Sequence, residues 1–403
     1  MSDISTPTAR PKTLVLCLDG TTNHFGVHNT NVVRFFGMLK KDVAEEQVCY
    51  YQPGIGTFFD PGTVSPYLDI AAKILDSAIA CYVDQHIMNA YRFIMNNYTP
   101  GDKIAIFGFS RGAYTARALA GMVHKIGLLP KDNGEHLPFA YQLYALEDPV
   151  NVELARGFKK TFCMDIQIDF VGVWDTVASV GLLYSRTLPF TNSNKSIKVF
   201  RHALALDERR ARFKPNLFHV KQQKTDTSDF ISVLKNRLFF NLNPFDRLVA
   251  PPDTSADDDD EESERPDTDV REVWFVGAHE DVGGGADLNF VKGRLCNIAL
   301  RWMVEEVIQS NCGIIFQKDA LRDIGLVDDP LVKVVHEYPG VTAGSKAEKD
   351  AETMRNIDKK DAVRPIHDSL KMLPLSAFWW LLEALPTTFK WQDGEGNWHT
   401  KIA

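Results

Sequence analysis

The chain has 403 residues, of which 44% are hydrophobic and 24% are charged, and its formal net charge is −8 at pH 7. This composition is typical of a globular protein and excludes a largely disordered, collagen-like or disulfide-rich chain. No basic patch with interleaved aromatic residues is present, so we expect no nucleic-acid partner.

Chain length and the spacing of the cysteines indicate what kind of globular protein this is. The length suits one enlarged domain with insertions. Six cysteines are scattered without C-x-x-C spacing, which predicts neither a zinc site nor a disulfide framework. The N-terminus lacks the apolar core of a signal peptide, and no stretch approaches the roughly 20 apolar residues of a membrane span. We therefore expect a cytoplasmic protein without metal or other cofactor; the sequence does not predict its oligomeric state.

Short apolar segments rich in β-branched and aromatic residues alternate with helical segments along the chain. We predict strands at 13–18, 48–52, 103–109, 167–174 and 272–276, and helices at 70–96, interrupted near Asp84, and at 289–310. This alternation indicates an α/β fold in which a mostly parallel sheet carries helices on both faces. A loop of polar or small residues follows each strand, so these loops should share one edge of the sheet.

The segment after the third predicted strand has the pattern of a nucleophile elbow. Gly-Phe-Ser-Arg-Gly at 108–112 lies between an apolar strand and a run of helix-forming residues. A serine on such a tight turn adopts strained backbone geometry, and small residues two positions before and after it avoid clashes. The pattern predicts Ser110 as a nucleophile.

A serine hydroxyl needs a base within hydrogen-bond reach, and the base needs an acid to orient it. His279 directly follows the last predicted strand, and Asp175 follows the strand after the elbow, in the chain order Ser, Asp, His that α/β-hydrolases use. We predict His279 as the base and Asp175 as the acid. Asp281, two residues after the histidine, remains the competing acid, with turn stabilisation as its other role.

Ester hydrolysis also requires donors for the negative charge that develops on the carbonyl oxygen. One donor is expected from the N–H of Arg111, directly after the nucleophile. The other is expected from Gly20 or Thr21 in the loop after the first strand, where glycine permits close backbone approach. Asp19 and Asn23 should shape this loop or contact substrate.

The long connection after the fourth predicted strand indicates an insertion. We assign 182–269 to a cap or lid, helical at 201–210, which ends in a disordered acidic loop at 253–269 with ten acidic residues and one arginine. Residues 315–403 are expected to form a C-terminal extension packed on the core, with an apolar helix at 373–385. The whole of 1–403 is thus predicted as a single domain.

Four blocks together resemble a known family: LDGTTN at 18–23, GFSRGA at 108–113, VWDTV at 173–177 and HEDVGGG at 279–285. They are similar to the signature blocks of the DUF2235 family of α/β-hydrolases, which includes the Tle1-like phospholipase effectors of type VI secretion. The resemblance covers residues from about Lys12 to Leu300. It implies a serine esterase or lipase with Ser110 as nucleophile and His279 as base.

We therefore expect a serine hydrolase of carboxylic esters, with a small-molecule or lipid ester as substrate and at most transient contact with a membrane surface. Two alternatives stay open. One is a catalytically silent binding module on the same scaffold. The other is a metal-assisted hydrolase that uses Asp19, Asp281 and Asp287 as oxygen ligands.

Overall fold

The computed structural model describes residues 11–21, 23–54, 68–177, 188–211, 213–218, 266–326, 356–371, 380, 388–392 and 398–402. The chain divides into two compact units. The first comprises Met1–Phe218 and Thr268–Thr387, and the second comprises His219–Asp267 and Thr388–Ala403. In the second unit the described elements are two antiparallel strands, β7 (Thr388–Gln392) and β8 (Trp398–Ile402).

The first unit contains a six-stranded sheet in the order β2-β1-β3-β4-β5-β6, and every neighbouring pair is parallel. Its strands are β1 (Thr13–Leu18), β2 (Gln47–Gln52), β3 (Lys103–Phe109), β4 (Ile168–Trp174), β5 (Ile197–Ala205) and β6 (Asp269–Phe275). The predicted α/β fold, with helices around a parallel sheet as in the α/β-hydrolases, is confirmed. Because all six strands run the same way, the loops after them meet at one edge, here called the carboxyl edge.

Helices cover both faces of this sheet. They are α1 (Asn31–Met38), α2 (Leu68–Asn97), α3 (Arg111–Ile126), α4 (Leu137–Ala145), α5 (Pro149–Phe162), α6 (His279–Gly283), α7 (Cys296–Ser310) and α8 (Lys318–Asp323), with a further helical segment at 356–362. Alternate residues of β1 enter two different cores. Leu14 and Leu16 pack with α3 and α4, whereas Val15 and Cys17 pack with α1 and α7. This two-sided burial explains the continuous apolar runs of the strands.

Three predictions about the elements are wrong. The stretch 201–210, predicted as helical, begins inside β5, which pairs with β4 on one side and β6 on the other. Its helix-forming alanines and leucines are overridden by burial in the middle of the sheet. Helix α2 is continuous from Leu68 to Asn97, with no interruption near Asp84, and α7 begins at Cys296 rather than at 289.

The strand β5 therefore belongs to the core sheet, although the predicted cap at 182–269 included it. The acidic loop falls outside the described residues up to 265, and of the predicted helix at 373–385 only Trp380 is described. None of the helices in the described part of the chain has both the length and the apolar character needed to cross a bilayer.

Candidate active site

Ser110 lies on the turn between β3 and α3, with φ 57° and ψ −122°, a conformation that is rare for a residue with a side chain. The turn is closely packed. A Cβ on Gly108 would lie 2.4 Å from the carbonyl oxygen of Gly112, and a Cβ on Gly112 would lie 2.2 Å from that of Leu18. Both positions therefore require glycine, as the elbow pattern predicts, and the strained serine is held at the carboxyl edge.

Asp175 follows β4 directly, also with a positive φ of 39°. One carboxylate oxygen, Oδ1, accepts a hydrogen bond of 2.9 Å from the N–H of Ala205, and the other, Oδ2, lies 2.6 Å from Nδ1 of His279. Asp175 is 3% exposed and His279 is 4% exposed. The contact is thus a short, buried pair whose carboxylate is fixed by the end of β5.

His279 is the first residue of α6, just after β6. Its ring packs against Phe109 with centroids 4.6 Å apart and meets the ring of Phe213 edge-on at 4.8 Å. The backbone N–H of His279 donates a hydrogen bond to Oε2 of Glu208 at 3.2 Å. Because Phe109 immediately precedes Ser110, the imidazole lies against the strand that presents the serine.

The two carboxylates that the sequence left open have different partners. Oδ2 of Asp281 accepts hydrogen bonds from the N–H groups of Ala278 and His367 at 3.0 and 2.9 Å, and Oδ1 lies 2.6 Å from Nδ1 of His367. Asp281 therefore contacts the histidine of the segment 356–371, while Asp175 contacts His279. This geometry favours Asp175 as the acid.

Asp19, at the end of β1, is buried and surrounded by donors. Its Oδ1 accepts from the N–H of Gly20 at 2.8 Å and from the hydroxyl of Thr30 at 2.9 Å, and its Oδ2 accepts from the hydroxyl of Tyr51 at 2.8 Å. Burial raises the pKa of the Asp19 carboxyl to about 6, and the hydrogen bonds from Tyr51, Gly20 and Thr30 oppose this rise. Because the N–H of Gly20 donates to Asp19, the geometry favours Thr21 over Gly20 as the predicted oxyanion donor of this loop.

Hydrogen bonds join the rest of the loop after β1 to itself and to the turn that carries Ser110. Asn23 donates from its N–H to the carbonyl of Gly20 at 3.0 Å and accepts from the N–H of Gly54 at 2.8 Å. The guanidinium of Arg111 donates to the hydroxyl of Thr21 at 2.8 Å. A Cβ on Gly20 would lie 3.2 Å from Cβ of Ser110, so this loop approaches the serine closely.

Two further side chains near the pair were not predicted as site residues. The buried His202 accepts at Nε2 from the N–H of Thr176 at 3.0 Å, so its Nδ1 donates to Glu272 at 2.9 Å. Burial lowers the pKa of His202, although Glu272 opposes the shift. Glu208, which accepts from His279, also pairs with Arg210 at 2.8 Å. No local sequence pattern marks His202 or Glu208, because the position of β5 between β4 and β6 brings both of them near the pair.

The three carboxylates that the metal-assisted alternative requires already have partners within the protein. Asp19 accepts from Gly20, Thr30 and Tyr51, whereas Asp281 and Asp287 both face His367, the latter at 3.7 Å from Nε2. Among the described residues, no group of three or more His, Cys, Asp or Glu side chains is arranged to hold a metal ion. The geometry gives that alternative no support.

The chain is similar in sequence to one curated protein and in structure to solved proteins. An uncharacterized protein of Saccharomyces cerevisiae, YEL023C, is 29% identical over an alignment that covers 96% of this chain and 75% of that protein. An uncharacterized protein from Pseudomonas aeruginosa matches structurally with a TM-score of 0.41 and 17% identity, over 89% of this chain and 52% of the other. The chain thus spans about half the length of that structure.

A second solved structure, the Tle1 effector bound to the VgrG spike of the type 6 secretion system, matches with a TM-score of 0.34 and 13% identity over 96% of this chain and 88% of that one. The catalytic-domain model of the Tle1-like phospholipase effectors of the type VI secretion system matches residues 12–306, which is well over half of the sequence. The chain therefore belongs to the Tle1-like catalytic-domain family, as the four sequence blocks predict.

Proposed function

We propose that this protein hydrolyses carboxylic esters, lipid esters in particular, with Ser110 as nucleophile, His279 as general base and Asp175 as the residue that orients the base. The observation that carries the proposal is the buried contact of 2.6 Å between Asp175 and His279, whose imidazole packs on the residue preceding the strained serine. Membership of a family of phospholipase catalytic domains supports a lipid ester as substrate.

The hydrogen bond to Asp175 determines the chemistry of the imidazole. With Nδ1–H donating to the carboxylate, Nε2 is the ring nitrogen that accepts a proton. Ser110 Oγ attacks the ester carbonyl carbon as its hydroxyl proton passes to Nε2. The tetrahedral intermediate then collapses, the bond to the alcohol breaks, and His279 protonates the departing alcohol to leave an acyl-enzyme.

Water completes the cycle. It attacks the acyl carbon, gives its proton to Nε2, and the bond to Ser110 Oγ breaks with return of that proton to the serine, which releases a carboxylic acid. The N–H of Arg111, at the start of α3, is the proposed donor to the oxyanion, and Thr21 is the remaining candidate from the loop after β1. The hydrogen bond from Arg111 to Thr21 would keep these two groups together.

Labelling with a fluorophosphonate tests the nucleophile directly. The folded protein should form a covalent adduct on Ser110, identified by peptide mass spectrometry, and the Ser110→Ala variant should form none. An intact, folded sample that takes up no label would favour the catalytically silent scaffold instead.

Substrate class requires a separate measurement. We expect turnover of p-nitrophenyl esters to rise with acyl-chain length and a phospholipid to release fatty acid, both abolished in Ser110→Ala. A strict preference for short acyl chains would contradict the lipid assignment while leaving the serine mechanism in place.

A further inference from the structure

Three large apolar side chains lie exposed on two loops at the carboxyl edge. Phe25 and Val27, in the loop after β1, are 74% and 67% exposed, and Phe290, in the loop after α6, is 78% exposed. We call these three side chains the apolar tips. Large apolar groups exposed together in this way mark sites of interaction with another surface.

Hydrogen bonds hold the two loops together as one surface. The N–H of Asn289 donates to the carbonyl of Val27 at 2.9 Å, and its side-chain amide donates to the carbonyl of Gly26 at 2.7 Å. The side-chain oxygen of the same asparagine accepts from the N–H of Asn29 at 2.8 Å. Phe290 is therefore fixed beside the loop that carries Phe25 and Val27, and the apolar tips are arranged before any partner binds.

The same loops connect directly to the candidate active site. The loop after β1 begins with Gly20, where a Cβ would lie 3.2 Å from Cβ of Ser110, and the other loop follows the helix that His279 begins. An isolated bridge between Thr30 and Gly284 joins the two loops near their bases. A surface that rests on the apolar tips would therefore lie on the side of the sheet where the ester is cleaved.

The charge of these loops identifies the kind of surface. Residues 20–30 and 288–294 contain no aspartate or glutamate, and they contain Lys292, which is exposed. The exposed Arg364 donates to the carbonyl of Lys292 at 2.8 Å and adds a second cation. Two acids adjoin these segments in sequence: Asp19, which is buried, and Asp287, which lies 3.7 Å from Nε2 of His367. Apolar tips flanked by cations match the interface of a bilayer with anionic head groups.

We propose that Phe25, Val27 and Phe290 insert into the surface of an anionic phospholipid bilayer and that Lys292 and Arg364 contact its head groups. The purpose of this docking rests on the proposed function, because docking would bring Ser110 to lipid esters held in a membrane. The binding itself requires no hydrolysis and is measurable alone.

The test uses the Ser110→Ala protein and sucrose-loaded vesicles of phosphatidylcholine with phosphatidylglycerol, separated by sedimentation. The protein should partition to these vesicles, and adding Phe25→Ser with Phe290→Ser should weaken partitioning about tenfold or more. The matched control is Val150→Ser with Leu154→Ser, two α5 side chains that are 72% and 47% exposed, and its partitioning should equal that of the parent. Vesicles of phosphatidylcholine alone, or Lys292→Gln, should weaken binding about fivefold.

Three results would overturn the docking proposal: absence of binding by the parent, equal binding by the Phe25→Ser, Phe290→Ser variant, or equal loss in the α5 control. A protein partner captured at the apolar tips without any affinity for vesicles would overturn it as well. Failure of the proposed function gives a different pattern, because Ser110→Ala protein would still bind vesicles while wild-type protein hydrolysed no ester.

Discussion

The contact between Asp175 and His279 determines which ring nitrogen carries the proton. In Asp175→Asn, the side-chain amide can donate to Nδ1 and so favours the tautomer with the proton on Nε2, which cannot accept the proton of Ser110. We expect kcat for ester hydrolysis to fall about 10³- to 10⁴-fold with little change in folding. Steady-state kinetics and circular dichroism measure the two effects.

The comparison variant for this experiment is Asp281→Asn. Asp281 holds Ala278 and His367, so its replacement should reduce kcat much less than Asp175→Asn and should lower thermal stability instead. If the ranking of the two kcat losses is reversed, the assignment of the acid passes to Asp281.

Asp19 gives a prediction about pH. Burial raises its pKa from 3.8 to about 6, so folding favours the protonated carboxyl. The stability that this provides is fully present below the ordinary pKa and is lost as pH rises through about 6, a change of about 3 kcal/mol in the free energy of unfolding. In Asp19→Asn the loss between about pH 4 and about pH 7.5 should be smaller by this amount.

Urea unfolding across that range, for the parent and the variant, measures the difference. Asp319→Asn, which changes a carboxylate that is 94% exposed, serves as the control and should follow the parent at every pH. Parallel pH curves for Asp19→Asn and the parent would contradict the raised pKa.

At this scale the sequence predicted the residues whose positions follow from strand ends. Ser110, Asp175 and His279 each come directly after a strand or one turn later, so their prediction as candidates at one edge needed only a parallel sheet. His202 and Glu208 could not be placed, because their roles depend on the pairing of β5 with β4 and β6 and on the turn that follows β5. A long-range register of this kind has no local sequence signal.

Among the elements, α3 approaches the end of β1 so closely that its second residue has no room for a side chain. In Gly112→Ala the new methyl group would lie 2.2 Å from the carbonyl oxygen of Leu18 and 2.4 Å from that of Asp19. Backbone atoms cannot move aside as a flexible side chain does, so we expect a loss of about 2 kcal/mol or more in the free energy of unfolding, with loss of fluorophosphonate labelling. Chemical denaturation measures the stability.

Gly157, in the middle of α5, is the matched control because a Cβ there would have no atom within 4 Å. Gly157→Ala should stabilise the protein by about 0.5–1 kcal/mol through helix propensity. If both alanine variants are equally stable, steric contact at the elbow is not the reason for the glycine.

The limits of the strands show where local sequence pattern is enough to predict an element. β1 and β3 begin and end at the predicted residues, because apolar runs bounded by turn residues are strong local signals. The sequence pattern failed at β5, where alanine, leucine and arginine favour a helix and only burial between two strands produces an extended chain. Local propensity is a weak guide where both neighbours are supplied by distant segments.

At the scale of the whole first unit, a buried ion pair joins the helical segment 356–362 to α7. Arg301 donates to Asp361 at 2.6 Å, with the two side chains 4% and 3% exposed, and also pairs with Asp358. Asp361→Ala would leave a buried guanidinium with one carboxylate fewer, and we expect a loss of about 3 kcal/mol in the free energy of unfolding. Limited proteolysis should then cut more readily within 356–371.

The control is Arg322→Ala, which removes an exposed pair with Asp319. Surface pairs of this type contribute little, so neither stability nor the proteolytic pattern should change measurably. A wild-type cleavage pattern in Asp361→Ala would show that the segment is held by other contacts.

The candidate base follows β6, the edge strand that the ribosome makes last among the six, and more than half of the chain precedes it. A growing chain therefore displays its serine on a nearly finished sheet while the imidazole is still unsynthesised. If His279 is the base, as proposed, a nascent protein would have no ester hydrolase activity until synthesis has passed β6, and activity would begin together with completion of the sheet.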